Sequence, residues 1–204
     1  MLHVSVKTSR LNYRIASLMS RNYGKLHILY EHHRNLALLY HFLAGKLYRP
    51  SHLRVILSDL VDRRGKALDN SVHCEAAVKW LFNAQDVTHG GGVSAEYSFS
   101  WGWRSPYPET SGYIIPTLFD FANHFRNSPA ALECPNKALN IADWLIKIQL
   151  PSGAYYCGLL PTEHSSLADR ASSPQKPSAF ETGQVLMGLS RAYEHTGEQR
   201  YLEA

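Results

Sequence analysis

The sequence predicts an all-α protein of tandem helical hairpins, because a short phrase is repeated and apolar residues recur at helical spacing. The phrase Trp80-Leu81-Phe82-Asn83-Ala84-Gln85 returns as Trp144-Leu145-Ile146-Lys147-Ile148-Gln149. Each copy leads into a glycine-bearing turn and then into a Glu-Thr pair, Glu109-Thr110 or Glu181-Thr182, that opens an apolar segment. A duplicated helix–turn–helix unit is typical of stacked helical arrays. We therefore expect the hairpins to lie side by side, with both tryptophans between them.

The composition indicates a globular protein from a reducing compartment. Hydrophobic residues make up 45% of the chain and aromatic residues 11%, which are globular values. Three scattered cysteines are too few for a disulfide framework. The start lacks the apolar core of a secretory signal, and the longest apolar stretch, residues 36–44, is too short for a membrane span. We expect a soluble, cytoplasmic protein without a transmembrane segment.

The charge distribution predicts two domains. Residues 1–70 carry 12 Lys/Arg and 4 Asp/Glu, a balance of +8, whereas residues 71–204 carry 9 and 13, a balance of −4. We expect a basic helical N-terminal segment over 1–70 and the helical array over 71–204. A basic amphipathic helix can lie on an anionic membrane surface, bind nucleic acid or present a solvated face. No recognised nucleic-acid motif is present, so we expect no nucleic-acid partner, and peripheral membrane contact stays open.

Within the N-terminal segment, leucines three or four positions apart predict helix over residues 10–48. Arg49-Pro50 breaks the pattern, and Ser51 is the predicted N-cap of a short helix that ends at Val61. In the array, helices are predicted over 71–86, 114–125, 135–149 and 182–196 and from 199 onward, separated by two long loops. The fifth helix has barely begun at residue 204, and stacked arrays need terminal caps, so we expect a fragment of a longer protein.

Particular residues are expected to begin and end the array helices. Ser71 is the predicted cap of the first helix, and Pro116 is placed in the first turn of the second, because deeper inside it would remove a backbone hydrogen bond. Gly197 is the predicted C-cap of the fourth helix. The first helix is expected to bury a stripe formed by Ala76, Ala77, Trp80, Leu81 and Ala84.

Several motifs carry a family resemblance that covers residues 76–204. The Trp-Leu-x-x-x-Gln phrase before a glycine turn, followed by the Tyr-Pro-Glu-Thr-Ser-Gly-Tyr-Ile-Ile-Pro-Thr run of residues 107–117, resembles proteins encoded among polysaccharide-biosynthesis genes. The Phe-Glu-Thr-Gly-Gln-Val-Leu run of residues 180–186, with Ala192-Tyr193 after it, resembles the C-terminal catalytic region of glucuronyl epimerases. As a whole the segment looks like the α/α-toroid proteins, which include terpene cyclase and prenyltransferase repeats and six-hairpin sugar-active enzymes.

The resemblance implies a partial α/α toroid that processes a glycan or uronate polymer in a polysaccharide-biosynthesis system, as a lyase, epimerase or hydrolase. Function does not follow from fold alone, so a non-catalytic helical-array binding module is an alternative. A terpenoid cyclase or prenyltransferase function is a weaker alternative. The acidic cyclase motif is absent, and neither His73-Cys74 nor Cys157 with His164 has a recognised zinc-ligand spacing. No metal or cofactor is predicted, and the oligomeric state is not predicted.

The aromatic loop between Tyr97 and Tyr113 is the main candidate for contact with a carbohydrate substrate. Flat aromatic rings stack on the apolar faces of sugars, while neighbouring polar groups bind the hydroxyls. A loop this long in a compact domain is often functional; the alternative is that its aromatics only pack it onto the helix ends. The predicted substrate-binding residues are Tyr97, Trp101, Trp103, Arg104, Tyr107 and Tyr113.

Two chemistries fit the remaining candidates. Glu109 and Glu181 occupy equivalent places in the two repeats and would serve as acid and base in glycoside hydrolysis; alternatively they only complement helix N-termini. Removal of a proton beside a uronate carboxylate would use Tyr or His as base and acid, with an arginine neutralising the substrate. Tyr155 and His164, in the second loop, are of the right type. The predicted catalytic residues are Glu109, Glu181, Tyr155 and His164.

Overall fold

The computed structural model describes residues 33, 35–61, 67–89, 91–163, 165, 169–170 and 176–204. The chain divides into two compact units, Met1–Asp62 and Arg63–Ala204. In the described residues α-helix dominates and the strands are only two residues long, which confirms the all-α class. The predicted N-terminal helix before residue 33 lies outside the described residues. No helix in the described ranges is long and apolar enough to cross a membrane.

In the first unit, residues 35–44 are helical and α1 spans Pro50–Leu60. Pro50 occupies the first turn, where its missing N–H would have had no helical partner, so the helix starts before the predicted Ser51 cap. His52 is buried, and its Nδ1 donates to the carbonyl oxygen of Lys46 at 3.1 Å. This bond ties α1 to the turn that precedes it.

The second unit contains five described helices. They are α2 (Asn70–Asp86), α3 (Pro108–His124), α4 (Pro129–Ile148), α5 (Ala179–Thr196) and α6 (Arg200–Glu203). Helix α3 packs against both α4 and α5, and α2 packs against α4. The centre of the core lies among α3, α4 and α5, where the side chains of Ile115, Leu118, Ile141, Leu145 and Leu189 are almost completely buried. Burying each such side chain contributes roughly 1.5–3 kcal/mol.

Helix α3 begins at Pro108 rather than at the predicted Ile114. Pro116 therefore lies in the middle of the helix and not in its first turn, so that prediction was wrong. Pro108 in the first turn, with its fixed φ, already provides a favourable start. Pro116 removes one backbone hydrogen bond, and the burial of the surrounding apolar face outweighs that loss.

Helix α4 likewise begins at Pro129 instead of the predicted Pro135. The Ser128 hydroxyl caps it by accepting a hydrogen bond from the backbone N–H of Ala130 at 3.2 Å. A Ser-Pro pair read as a chain break is thus an N-cap followed by a first-turn proline. The end of α5 was predicted correctly, since Gly197 adopts the left-handed conformation with φ of 72°.

The buried stripe of α2 differs from the prediction. The buried positions of this helix recur one or two turns apart and are Val78, Phe82 and Gln85. Trp80 is half-exposed, and Ala76 and Ala77 are exposed. Ala84 is buried as predicted. The N-cap is Asp69, which accepts from the backbone N–H of Ser71, rather than Ser71 itself.

The two glutamines that end the repeated phrase make the same pair of hydrogen bonds. Gln85 Nε2 donates to the carbonyl of the turn residue Gly91 and to that of Lys137 in α4, both at 3.1 Å. Gln149 Nε2 donates to a turn-glycine carbonyl at 3.2 Å and to the carbonyl of Ala204 at 2.8 Å. Each glutamine therefore fastens its own turn to the helical segment that follows in the array.

A second pair of equivalent bonds fixes the register of the repeat. The Ser111 hydroxyl accepts from the Val93 N–H at 2.9 Å and donates to the carbonyl four residues back. The Thr182 hydroxyl accepts from the Tyr155 N–H at 3.1 Å and makes the same backward bond. Ser111 and Thr182 are 71 positions apart, so Glu181 corresponds to Thr110 in this register. The prediction that Glu109 and Glu181 are equivalent was therefore wrong by one position.

Helices α3 and α5 run parallel and cross at glycines. The rings of Phe119 and His195, near the two C-terminal ends, stack with centroids 4.2 Å apart. A Cβ on Gly112 would lie 2.7 Å from the carbonyl oxygen of Gln184, and a Cβ on Gly188 would collide with the Gly112 carbonyl. The close approach of the two helices depends on the missing side chains.

Both long loops contain a short antiparallel strand pair. In the first loop, β1 (Tyr97–Ser98) pairs with β2 (Gly102–Trp103). In the second, β3 (Tyr155–Tyr156) pairs with β4 (Pro177–Ser178), directly before α5. The pairings give the loops a defined shape at the ends where α3 and α5 begin.

Candidate functional site

The two long loops are joined by Asp169. Its side chain is only 1% exposed, and its Oδ2 accepts from both the N–H and the hydroxyl of Ser105 at 2.7 Å. Arg104 forms an ion pair with its other oxygen. Burial by itself raises the pKa of Asp169, but the bonds from Ser105 and Arg104 outweigh it, so the pKa is lowered. Asp169 is therefore a charged link between segments some 65 residues apart.

Asp169 was not among the residues predicted from the sequence, because nothing in a Ser- and Pro-rich loop marks one acid as a partner of a distant arginine. Its position also changes the environment of Arg104, a predicted substrate contact. The Arg104 guanidinium is engaged by Asp169 and lies 3.5 Å from Glu96. Its positive charge is thus balanced by the protein's own carboxylates.

A carboxylate cluster lies where the first loop meets the start of α5. Glu181 is only 5% exposed, and its Oε1 accepts from the Tyr107 hydroxyl at 3.1 Å. Its Oε2 is buried and has no hydrogen-bond partner among the described residues. The Tyr107 oxygen also lies 3.8 Å from the Sγ of Cys157, an exposed cysteine that was not among the predicted site residues.

The electrostatics of this cluster keep Glu181 ionised. The neighbouring Cys157 thiol, followed by the Ser178 hydroxyl, lowers the pKa of Glu181 to about 2. Burial, followed by Cys157 and Glu181, raises the pKa of the Tyr107 phenol. At neutral pH the tyrosine therefore remains a proton donor and the glutamate a charged acceptor.

Glu109 lies half-buried in the first turn of α3, beside the same cluster. The pKa of Tyr113 is raised, first by burial and then by the Glu109 charge, and Glu109 also adds to the rise in the Tyr107 pKa. Among the described residues, no Lys or Arg forms an ion pair with Glu109 or Glu181. The structure thus brings together four predicted site residues, Glu109, Glu181, Tyr107 and Tyr113, in an anionic group.

A separate feature, the aromatic surface, is formed by Trp80, Tyr97 and Trp103, and Trp101 lies in the adjoining turn between β1 and β2. The Trp103 ring lies 5.0 Å from that of Trp80 and 5.2 Å from that of Tyr97, measured between centroids. Trp80 is 48% exposed and Trp101 59%. Such tilted and edge-on contacts hold the rings in place while leaving part of their faces open to solvent.

The exposure of Trp80 contradicts the expectation that both repeated tryptophans are buried between hairpins. Trp144 is buried because the preceding glycine turn lies on it: a Cβ on Gly92 would be 2.7 Å from its ring. The turn that covers Trp144 follows α2. The exposed Trp80 contacts the ring of Trp103 instead.

Two predicted catalytic residues are not part of the cluster as described. Tyr155 is completely buried, and its hydroxyl has no hydrogen-bond partner among the residues that the structure describes. Burial raises the pKa of its phenol, so in this structure Tyr155 does not present a base to solvent. His164 lies outside the described residues. In those residues, no group of three or more His, Cys, Asp or Glu side chains could hold a metal ion.

The arrangement can accept hydrogen bonds through a buried carboxylate and stack a flat apolar ligand on exposed aromatic rings. The first capacity belongs to Glu181 and Tyr107, and the second to the aromatic surface. Comparison with protein-family models, curated proteins and solved structures finds no match to this chain.

Proposed function

We propose that the second unit binds and processes a neutral, hydroxyl-rich glycan at the carboxylate cluster. The observation that carries the proposal is the Oε2 of Glu181, a buried oxygen of an ionised group that accepts no hydrogen bond of normal geometry from the described residues. An unpaired buried acceptor costs about 1–3 kcal/mol, and a ligand hydroxyl would remove that cost. Tyr107 holds the other oxygen and so orients the carboxylate toward its ligand.

The charge of the site favours a neutral sugar over a uronate, the other substrate class that the sequence suggested. A substrate carboxylate about 4 Å from Glu181 would be repelled by about 4 kcal/mol at an effective dielectric constant of about 20. The uronate hypothesis required an arginine to neutralise the substrate, yet Arg104 is already paired with Asp169 and Glu96. A neutral glycan requires no such cation.

The aromatic surface supports the same ligand class, since exposed aromatic rings stack on the C–H faces of sugars. The parallel inner helices α3 and α5, which begin beside the joined loops, support a partial α/α toroid with the site at its mouth. A place in a cytoplasmic polysaccharide-biosynthesis system remains part of the proposal. It rests on the motif resemblance alone.

Hydrolysis is the reaction that two carboxylates support. In it, Glu181 takes a proton from an attacking water, and Glu109, which must first take up a proton from solvent, gives that proton to the leaving glycosidic oxygen. One C–O bond breaks and one forms, and the products are a new reducing end and a new hydroxyl. The alternative of a non-catalytic binding module differs in one outcome: it binds the same glycan and releases no reducing end.

The test uses the complete 204-residue chain and a panel of neutral and uronate oligosaccharides, with binding followed by calorimetry and cleavage by reducing-end release. Glu181→Gln should weaken neutral-glycan binding at least tenfold, and Glu203→Gln, an exposed glutamate at the end of α6, should bind like the wild type. Preference for uronates, or equal binding by the two variants, would refute the proposed site. Binding without cleavage would select the binding module.

A further inference from the structure

Helix α5 has an apolar face that nothing in the described chain covers. This α5 face consists of Phe180, Gly183, Leu186 and Met187, which recur at helical spacing. Phe180 is 62% exposed and Met187 53%. A Cβ added to Gly183 would meet no atom within 4 Å. Large apolar side chains clustered on one exposed helix face mark an interaction surface more often than isolated ones do.

The equivalent face of α3 is already buried in a helix–helix contact, because it packs against α5. The register of 71 positions set by Ser111 and Thr182 places Gly112 at Gly183 and Ile115 at Leu186. Gly112 lies against the backbone of α5, and Ile115 is completely buried, with its Cδ1 next to Gly188. The residue types through which α3 contacts α5 are thus repeated at the equivalent positions of α5, where they are exposed.

We propose that the α5 face docks the inner helix of a further helical hairpin, parallel to α5 and with a small residue at the crossing point. The argument is continuity with the α3–α5 interface, in which Gly188 is that small residue. A groove of about 460 Å³ beside Thr182, Gly183 and Leu186, walled by the turn at residues 152–154, would receive the start of the docked helix.

The repeated glutamine bonds point to the same occupant. Gln85 joins its turn to the carbonyl of Lys137 in α4, the outer helix of the next hairpin, and Gln149 makes the same bond to Ala204. The hydrogen bond that links the first turn to α4 is therefore repeated between the second turn and the residue after α6. A second copy of this chain does not fit the face in the same way, because its Gly188 is covered by its own α3.

The experiment adds a third hairpin to the complete chain by fusing a copy of residues 138–204 directly after Ala204. The junction matches the repeat, because Lys137 and Ala204 accept equivalent glutamine bonds. We expect the added hairpin to resist proteolysis, and the Met187 methyl resonance to shift and lose its accessibility to a soluble paramagnetic probe. The melting temperature should rise by at least 5 °C.

Gly183→Leu is the discriminating variant, because it fills the crossing point at a position where an added Cβ meets no atom within 4 Å. It should leave the fold of the 204-residue chain unchanged by circular dichroism and abolish the protection of the added hairpin. Three outcomes would overturn the inference: an added hairpin that stays protease-sensitive, one that docks equally well in the Gly183→Leu fusion, or an unfused chain that dimerises through this face. None of these measurements depends on glycan binding.

Discussion

Tyr107 and Glu181 are 74 residues apart in sequence and share a hydrogen bond of 3.1 Å between the phenol hydroxyl and Oε1. Tyr107 is the residue before α3, and Glu181 lies in the first turn of α5. The bond therefore sets the starts of two parallel helices relative to each other. The other oxygen of this buried carboxylate has no hydrogen-bond partner among the described residues.

Removing the Tyr107 hydroxyl should weaken both the fold and the site. In Tyr107→Phe the Oε1 of the buried Glu181 loses the phenol hydroxyl as its donor. Leaving such an acceptor unpaired costs about 1–3 kcal/mol. The measurement is the free energy of urea-induced unfolding at pH 7. Tyr113→Phe is the matched control, because Tyr113 is partly exposed and should lose less than about 0.5 kcal/mol. Equal losses in both variants would show that the bond contributes nothing specific.

Stability should depend on pH through Glu181. The native pKa of about 2 lies below the ordinary value of 4.5, so the native carboxylate binds protons more weakly than the unfolded one. The resulting stabilisation is complete above pH 4.5 and is lost as the pH falls toward 2. Between pH 5 and pH 3 the urea midpoint of the wild type should therefore fall more than that of Glu181→Gln.

Glu203→Gln serves as the control for this titration. It removes one carboxylate at an exposed position and so should keep the steep acid dependence of the wild type. Identical slopes for wild type and Glu181→Gln would mean that Glu181 does not have the lowered pKa.

The glycine crossing of α3 and α5 provides a paired test of packing. Gly188→Ala places a methyl group against the Gly112 carbonyl and should cost about 1–3 kcal/mol of unfolding free energy through helix displacement. Gly183→Ala, on the same helix but in open space, should instead stabilise by about 1 kcal/mol, because alanine is the better helix former. Thermal unfolding of both variants measures the difference, and changes of the same sign would contradict the crossing geometry.

Local sequence signals predicted much of the helical order. The repeated phrase, the helical spacing of apolar residues and the Gly197 cap all depend on neighbours a few positions away, and each is borne out by the helices of the second unit. The helix starts were misplaced because Pro108 was assigned to the long loop and Pro129 to a break before the next helix. Proline is compatible with both a break and a first turn, and only the following tertiary burial decides between them.

The site was predicted less completely, because its geometry depends on long-range contacts. Aromatic residues near Glu109 suggested a binding loop, but the sequence does not show that Asp169 takes up the charge of Arg104. The half-exposure of Trp80 has a similar origin. Trp144 is buried by the glycine turn that follows α2, whereas Trp80 contacts Trp103, so two similar phrases have different surroundings.

The buried pair of Arg104 and Asp169 should matter far more than an exposed pair. Asp169 is almost fully buried, and Asp169→Ala would leave the largely buried Arg104 without its main counter-charge and Ser105 without an acceptor. We expect a loss of about 3 kcal/mol in unfolding free energy. Because Asp169 joins the two long loops, limited proteolysis should cut both loops faster in this variant.

Asp86→Ala is the matched control for that prediction. Asp86 also pairs with a cation in another element, Lys137, but its side chain is 64% exposed. Solvent screens such a pair, so its removal should cost about 0–1 kcal/mol and leave the cleavage rate of the loops unchanged. If the two alanine variants lost similar unfolding free energy, the burial of Asp169 would not increase the contribution of its ion pair to stability. If Asp169→Ala lost stability without faster loop cleavage, Asp169 would stabilise the unit by some route other than joining the loops.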